Sequence, residues 1–255
     1  MMPCFDKKPD RLLLADGLHL AYHRSAGASP GVIFLGGFTS DMTGVKATTL
    51  ERWCRKRGQA FLRFDYSGHG ASGGVFAEGT IGRWSQEALT VLDRLTDGPQ
   101  ILVGSSMGAW LMLITALARP RRVAGLLGLA CAVDFTEYLL WDRLDETLRE
   151  RLRCERVIRL PSPYGEPYTI AWDLIEEAKQ HRLLDQPKLA ITCPVRLIHG
   201  MSDVDVPWRI SLQVAERLTS SNVRLLLIKD GEHTLSREPD LAVLTQTLED
   251  LLASR

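Results

Sequence analysis

A serine set between glycines, with an aspartate and then a histidine further along the chain, supplies the residue types of an activated hydrolytic nucleophile. Gly104-Ser105-Ser106-Met107-Gly108 is a G-x-S-x-G sequence. It follows the apolar run Ile101–Val103 and opens a helical pattern over Met107–Ala118, the strand–turn–helix setting in which this pattern carries chemistry. So sharp a turn strains its central residue, and flanking side chains larger than hydrogen would collide with neighbouring backbone. Ser106 is then projected past the carboxyl edge of a sheet at a helix N-terminus, where the Met107 amide can face an oxyanion. Ser105 is the neighbouring candidate, but the spacing favours Ser106; the bland alternative is a small-residue turn without chemistry.

A serine hydroxyl is a poor nucleophile without an adjacent base, and that base needs an orienting carboxylate. His233, in Asp230-Gly231-Glu232-His233, follows the apolar run Val223–Ile228 and is the expected base. His19 and His23 lie in an N-terminal hairpin, His69 precedes the serine, and His181 falls in a segment without clear strands. His199 begins a turn, where a packed, hydrogen-bonded histidine is the plainer reading. Asp203, in the turn after Val195–Ile198, is the expected acid. Asp205, two residues on and able to cap a helix beginning near Trp208, and Asp134, after Val123–Leu129, stay open as alternatives.

The loop Gly36-Gly37-Phe38-Thr39-Ser40 follows the run Val32–Leu35, and its glycines let backbone approach a developing charge closely. The Phe38 amide is the expected second oxyanion donor beside that of Met107. The glycine-dense Asp65–Gly74 stretch lacks the endings of a phosphate loop and reads as a tight structural loop after Ala60–Phe64. Phe38, Trp110, Phe135, Tyr138, Leu139, Trp141, Trp172 and Trp208 are candidates for a substrate wall, some of them simply core.

The elements that must position these residues alternate. Apolar runs of strand length are separated by helical patterns near Gly44–Lys56, Trp84–Leu95, Met107–Ala118, Arg209–Thr219 and Leu241–Leu252. That alternation predicts parallel pairing through crossovers, with helices on both faces. Leu12–Leu14 and Leu18–Tyr22 flank Asp16-Gly17, a hairpin signal. From about Val133 to Thr192 no clear strand is visible, only helical patterns over Asp142–Glu155 and Trp172–His181 separated by prolines. We expect one domain spanning 1–255, in which 133–192 is a lid rather than a pair of plain crossover helices.

The composition is that of an ordinary globule: 255 residues, 45% hydrophobic, with 31 basic against 31 acidic side chains. Zero net charge removes the electrostatic footprint of a nucleic-acid binder, and no apolar run reaches the ~18 residues of a membrane span. The five cysteines are scattered without a C-x-x-C pair, so neither a zinc site nor a disulfide framework is expected. The apolar stretch Leu12–Ala15 is too brief for a signal-peptide core, and the cysteines read as reduced thiols, so a cytoplasmic location is expected.

Together these features resemble the α/β-hydrolase superfamily. The stretches Leu35–Gly44, Arg63–Gly68, Asp97–Ser106 and His199–Asp203 resemble one branch of it, the acyl-protein thioesterases and acyl-glucuronide esterases. The resemblance runs from about Leu18 to Leu252 and is looser over Phe135–Tyr168. It implies an α/β-hydrolase fold: a mostly parallel eight-stranded sheet, helices on both faces and a short helical lid inserted before the last two strands. It also implies a Ser106–His233–Asp203 triad that hydrolyses a carboxylic ester or thioester through an acyl-enzyme, without metal or organic cofactor. The expected partner is a small ester or thioester, or an acylated protein. A cofactor-free perhydrolase or carbon–carbon bond hydrolase would use the same triad, and a non-catalytic receptor could keep the fold. A dehalogenase or epoxide hydrolase is disfavoured, since those place an aspartate where Ser106 stands.

Overall fold

The computed structural model describes residues 8–162 and 165–253. Eight strands form one sheet: β1 (Asp10–Leu13), β2 (His19–Ser25), β3 (Ala28–Leu35), β4 (Gln59–Phe64), β5 (Gln100–Ser105), β6 (Val123–Leu129), β9 (Val195–Gly200) and β10 (Val223–Ile228). A separate pair, β7 (Val157–Leu160) and β8 (Tyr168–Ala171), lies between β6 and β9 in the chain. The sheet order is β1-β2-β4-β3-β5-β6-β9-β10, antiparallel at β1–β2 and β2–β4 and parallel elsewhere. This is the mostly parallel eight-stranded α/β sheet expected from the sequence.

The central strands are buried on both sides, and their side chains sort by the two-residue period of a strand. Ile33, Leu35, Leu102, Leu126 and Leu197 enter one apolar cluster, with α2 (Ile81–Leu95), α3 (Met107–Ala118) and α6 (Arg209–Arg217). Val32, Phe34, Ile101, Val103, Leu127 and Ile198 enter another, against α1 (Val45–Lys56) and α7 (Glu238–Ala253). Helices therefore cover both faces. Helix α3 is buried nearly all round, from Met107 to Ala116, so the serine at its start rests on a helix embedded in the core.

Between β6 and β9 the structure corrects the expectation of a strandless segment. Strands β7 and β8 pair antiparallel, from Val157 opposite Ala171 to Leu160 opposite Tyr168. Four-residue strands are too short for their period to emerge, and Pro161, Pro163 and Pro167 punctuate the sequence between and around them. The helix expected over Asp142–Glu155 is α4 (Glu146–Glu155), delayed because Asp145 caps it by accepting the Leu148 amide at 2.8 Å. The pattern Trp172–His181 becomes α5 (Trp172–Ala178) plus a tighter turn at Lys179–His181. Leu144, Leu152, Ile158, Ile170 and Ile175 give this insertion its own small apolar cluster, packed against Phe38 of the body.

Candidate active site

Ser106 joins β5 to α3 at φ 56° and ψ −119°, a conformation a non-glycine residue keeps only where its surroundings impose it. Those surroundings explain the two glycines. A Cβ on Gly104 would lie 2.4 Å from the Gly108 carbonyl oxygen and 2.6 Å from Ala109 Cα. One on Gly108 would lie 2.2 Å from the Leu35 oxygen and 2.5 Å from that of Gly36. The Ser106 amide donates to Leu129 O at 2.8 Å, and its carbonyl accepts from the Ala109 amide at 2.9 Å, which anchors the turn to both β6 and α3.

Two loops at the same sheet edge bring the partners. His233 follows β10, Asp203 follows β9, and the loops are stitched together by Met201 N–H to Ile228 O (2.8 Å) and Ser202 N–H to Gly231 O (2.9 Å). His233 Nε2 lies 3.1 Å from Ser106 Oγ, and its Nδ1 lies 2.8 Å from Asp203 Oδ2. The carboxylate is fully buried, whereas the imidazole keeps 16% of its surface exposed. Four N–H groups converge on Asp203. Oδ1 accepts the amides of Asp205 (3.0 Å) and Val206 (2.8 Å), while Oδ2 accepts His233 and His199 (3.1 Å). Burial pushes this carboxyl up, but hydrogen bonds from His199 and His233 outweigh it and hold the group well below the usual carboxylate range.

The alternative acids do different work. Asp134 is fully buried, and its oxygens take the amides of Leu183 (3.0 Å) and Leu184 (2.7 Å); burial pushes its carboxyl up to about 6. The Asp205 amide serves Asp203, and its residue lines the cavity beside His233. Of the other histidines, His69 is buried among Tyr66, Phe76 and Trp84, and His181 meets Glu177 at 2.6 Å. Among the described residues, Asp203, Asp205 and His233 are the one cluster with metal-ligand spacing, their ligand atoms within 4.8 Å of one another. The four donors already on Asp203 leave it poorly disposed to a cation.

The loop after β3 lies against the serine: a Cβ on Gly37 would sit 3.3 Å from Ser106 Cβ. Thr39 turns the chain at φ 59°, and Ser40 Oγ closes the turn by donating to Gly37 O at 2.8 Å. Phe38 and Met107 both line the cavity around Ser106, and Met107, first in α3, has an amide without an intrahelical acceptor. The loop is held from behind. Asp65 Oδ1 accepts the Met42 amide at 2.6 Å while Oδ2 accepts that of Ala71 at 2.8 Å, and Arg63 donates to Met42 O at 2.7 Å. The Asp65–Gly74 loop is thus structural, as read from its sequence.

A cavity of about 590 Å³ opens over Ser106 and His233. Of the expected wall, Phe38, Phe135 and Leu139 line it. The other five do not. Trp110 is buried behind Phe135, edge-on at 5.9 Å, and donates from Nε1 to His181 O. Tyr138 donates to Asp185 at 3.0 Å on the exposed side. Trp141 and Trp172 pack on each other at 5.4 Å beneath Arg153, and Trp208 lies under Arg209. A large aromatic ring rewards burial anywhere, so residue type alone does not place it in a pocket. Leu140, Leu160 and Tyr168 also line it, as do the polar Lys46, Arg143, Thr234 and Ser236, which sequence reasoning missed. Lys46 reads as a solvated first-turn lysine. Instead its ammonium donates to Thr234 O, and burial lowers it to about 8.

The sequence model of the alpha/beta hydrolase family matches residues 32–250. The mouse protein named "Palmitoyl-protein thioesterase ABHD10, mitochondrial" is 44% identical over 238 residues, covering 92% of this chain and 79% of that one. The solved structure of mouse alpha/beta hydrolase domain-containing protein 10 superposes with a TM-score of 0.89 at 42% identity, over 97% of this chain and 99% of that one. A crystal structure from Agrobacterium vitis gives 0.90 at 35% identity, over 96% and 99%. The expected cytoplasmic location is overturned by the curated relatives, which are named as mitochondrial. With a family model spanning most of its length and relatives above 40% identity, the chain belongs to the alpha/beta hydrolase family.

Proposed function

We propose that this protein is a serine hydrolase that cleaves carboxylic thioesters or esters through an acyl-enzyme, with Ser106 as nucleophile, His233 as general base and Asp203 as its orienting acid. The observation that carries the reading is the unbroken contact from Ser106 Oγ through His233 (3.1 and 2.8 Å) to Asp203. Ser106 attacks the acyl carbonyl as Nε2 takes its proton. Asp203 holds Nδ1–H and balances the imidazolium, and the Phe38 and Met107 amides receive the oxyanion. His233 then protonates the leaving group, and a water activated by the same imidazole releases the acid.

The apolar lining from Leu139, Leu140, Leu160 and Tyr168 suits an acyl chain, and Lys46, bonded to Thr234 O beside His233, suits the departing group. Relatives named palmitoyl-protein thioesterases support an acyl thioester, small or protein-borne, as substrate class. In this reading the chain is one domain in which residues 133–192 act as the lid. Ser106→Ala should abolish both hydrolysis of a p-nitrophenyl ester and labelling by a fluorophosphonate. Turnover surviving in that variant would falsify the assignment. Parallel assays on an acyl-CoA, an S-acyl peptide and an acyl-glucuronide then identify the leaving group.

A further inference from the structure

His199, in β9, is fully buried, and its neighbours fix more than its packing. Nε2 lies 3.1 Å from Asp203 Oδ2 and 3.0 Å from Val206 O, atoms that only accept. Nδ1 lies 2.6 Å from Ser211 Oγ, which can donate. One neutral tautomer satisfies all three: the proton on Nε2, shared by the carboxylate and the carbonyl, with Nδ1 accepting from Ser211. The opposite tautomer would aim a lone pair at two acceptors. A doubly protonated ring would set a second buried cation against the one carboxylate that must balance charge developing on His233.

We propose that His199 is a positioning residue for this site: its Nε2–H holds Asp203 Oδ2 toward His233 and takes a share of that oxygen's charge, so setting the basicity of the imidazole. The proposal rests on the triad reading above. The two backbone amides on Oδ1 anchor one oxygen only. The other faces His233, which must gain and lose a proton during turnover, and His199, which sits in a rigid strand and takes no part in proton transfer. A carboxylate steadied by a non-reacting donor keeps its orientation while its reacting partner changes charge. Metal-site histidines show the same logic, where removing an outer hydrogen-bond partner costs ~10–100-fold.

The test compares His199→Phe with His199→Gln, whose amide N–H can reach the same oxygen, using pH profiles of p-nitrophenyl ester hydrolysis. His199→Phe is expected to lower kcat on the order of 10–100-fold, as for outer hydrogen-bond partners elsewhere. It should leave KM within about twofold and move the acid limb of kcat/KM to higher pH, because charge no longer shared falls on the imidazolium. His199→Gln should recover most of the rate and return the limb toward its original position. An unmoved limb in the Phe variant, or a Gln variant no better than Phe, reduces His199 to packing. Should the Phe variant fail to fold, 15N-histidine NMR of the intact protein decides the matter. A slowly exchanging proton on His199 Nε2 supports the proposal, and one on Nδ1 overturns it. Full activity in the Phe variant beside an inert Ser106→Ala would sink this inference alone, whereas an active Ser106→Ala would sink the triad.

Discussion

Asp203→Asn keeps the shape of the side chain and replaces one acceptor by a donor, so its effect follows from hydrogen-bond accounting. The amides of Asp205 and Val206 hold Oδ1 at 3.0 and 2.8 Å and cannot be turned away, because they belong to the backbone. The asparagine oxygen must therefore stay with them, and its NH₂ faces His233 Nδ1 and His199 Nε2. His233 escapes the donor–donor clash only by presenting a lone pair at Nδ1, which moves its proton to Nε2. That proton then points at Ser106 Oγ, 3.1 Å away, and the ring can no longer accept the hydroxyl proton. In a serine protease the same change of tautomer costs ~10⁴ in kcat, or about 5.5 kcal/mol at ~1.36 kcal/mol per decade. Steady-state hydrolysis of a p-nitrophenyl ester near neutral pH should show this loss with KM within a few-fold of wild type. A variant within about tenfold of wild-type kcat would refute the reasoning and point to Asp205 as the acid.

Three further outcomes are expected. Gly108→Ala drives a methyl group onto backbone oxygens of Leu35 and Gly36, which cannot move aside as side chains do. At roughly 1–3 kcal/mol or more of overpacking, the melting temperature should fall on the order of 5–10 °C, and an unchanged melt would refute the close-approach argument. Asp134 carries a folded-state pKa raised by burial to about 6, so the folded protein binds its proton more tightly than the unfolded chain. Stability from this group therefore rises as pH falls through 6 toward the ordinary carboxylate value, by up to about 1.4 kcal/mol per unit. Urea melts at several pH values should show that increment in the wild type and lose it in Asp134→Asn; parallel curves would contradict the assignment. Lys46, lowered to about 8 by burial, donates to the carbonyl next to His233. The kcat/KM profile should carry a step near that pH that Lys46→Met removes, and a step persisting in the variant would show another group to be its source.

What the sequence made legible was local. Ser106, Asp203 and His233 each follow an apolar strand, in a chain order the fold dictates, and glycines mark the turns. The three side chains accordingly meet where strand ends meet. Asp134 shows the limit. From sequence it was an eligible acid, because nothing in the chain announces that the amides of Leu183 and Leu184, some fifty residues on, consume its oxygens. His199 reads as packed and hydrogen-bonded, and it is, but one of its three partners is Asp203, and only the fold brings the two rings to one oxygen. Strands β7 and β8 are too short to show a period, and five of the eight expected wall residues lie outside the cavity because their rings find other partners: Trp110 is core, Tyr138 bonds Asp185, and Trp141, Trp172 and Trp208 lie under arginines.

The insertion is attached in a way that separates holding from shaping. At its base the bonds are polar and directional. Asp134 takes two amides near Leu184, Trp110 donates to His181 O, and Glu177 accepts both the Gly82 amide and His181. Near β7 and β8 the contacts with the body are apolar, with Tyr168 against Phe38 at a ring separation of 6.1 Å. Apolar contacts constrain volume more than direction, so substitutions at Leu160 or Tyr168 can reshape this side of the cavity while the base keeps its register. Phe38 links the two. Its ring packs against Phe76, Phe135 and Tyr168, and its backbone lies at the serine turn. On the proposed function, the fit of an acyl chain against these rings would reach the loop beside Ser106 through Phe38, tying acyl preference to rate as well as to binding.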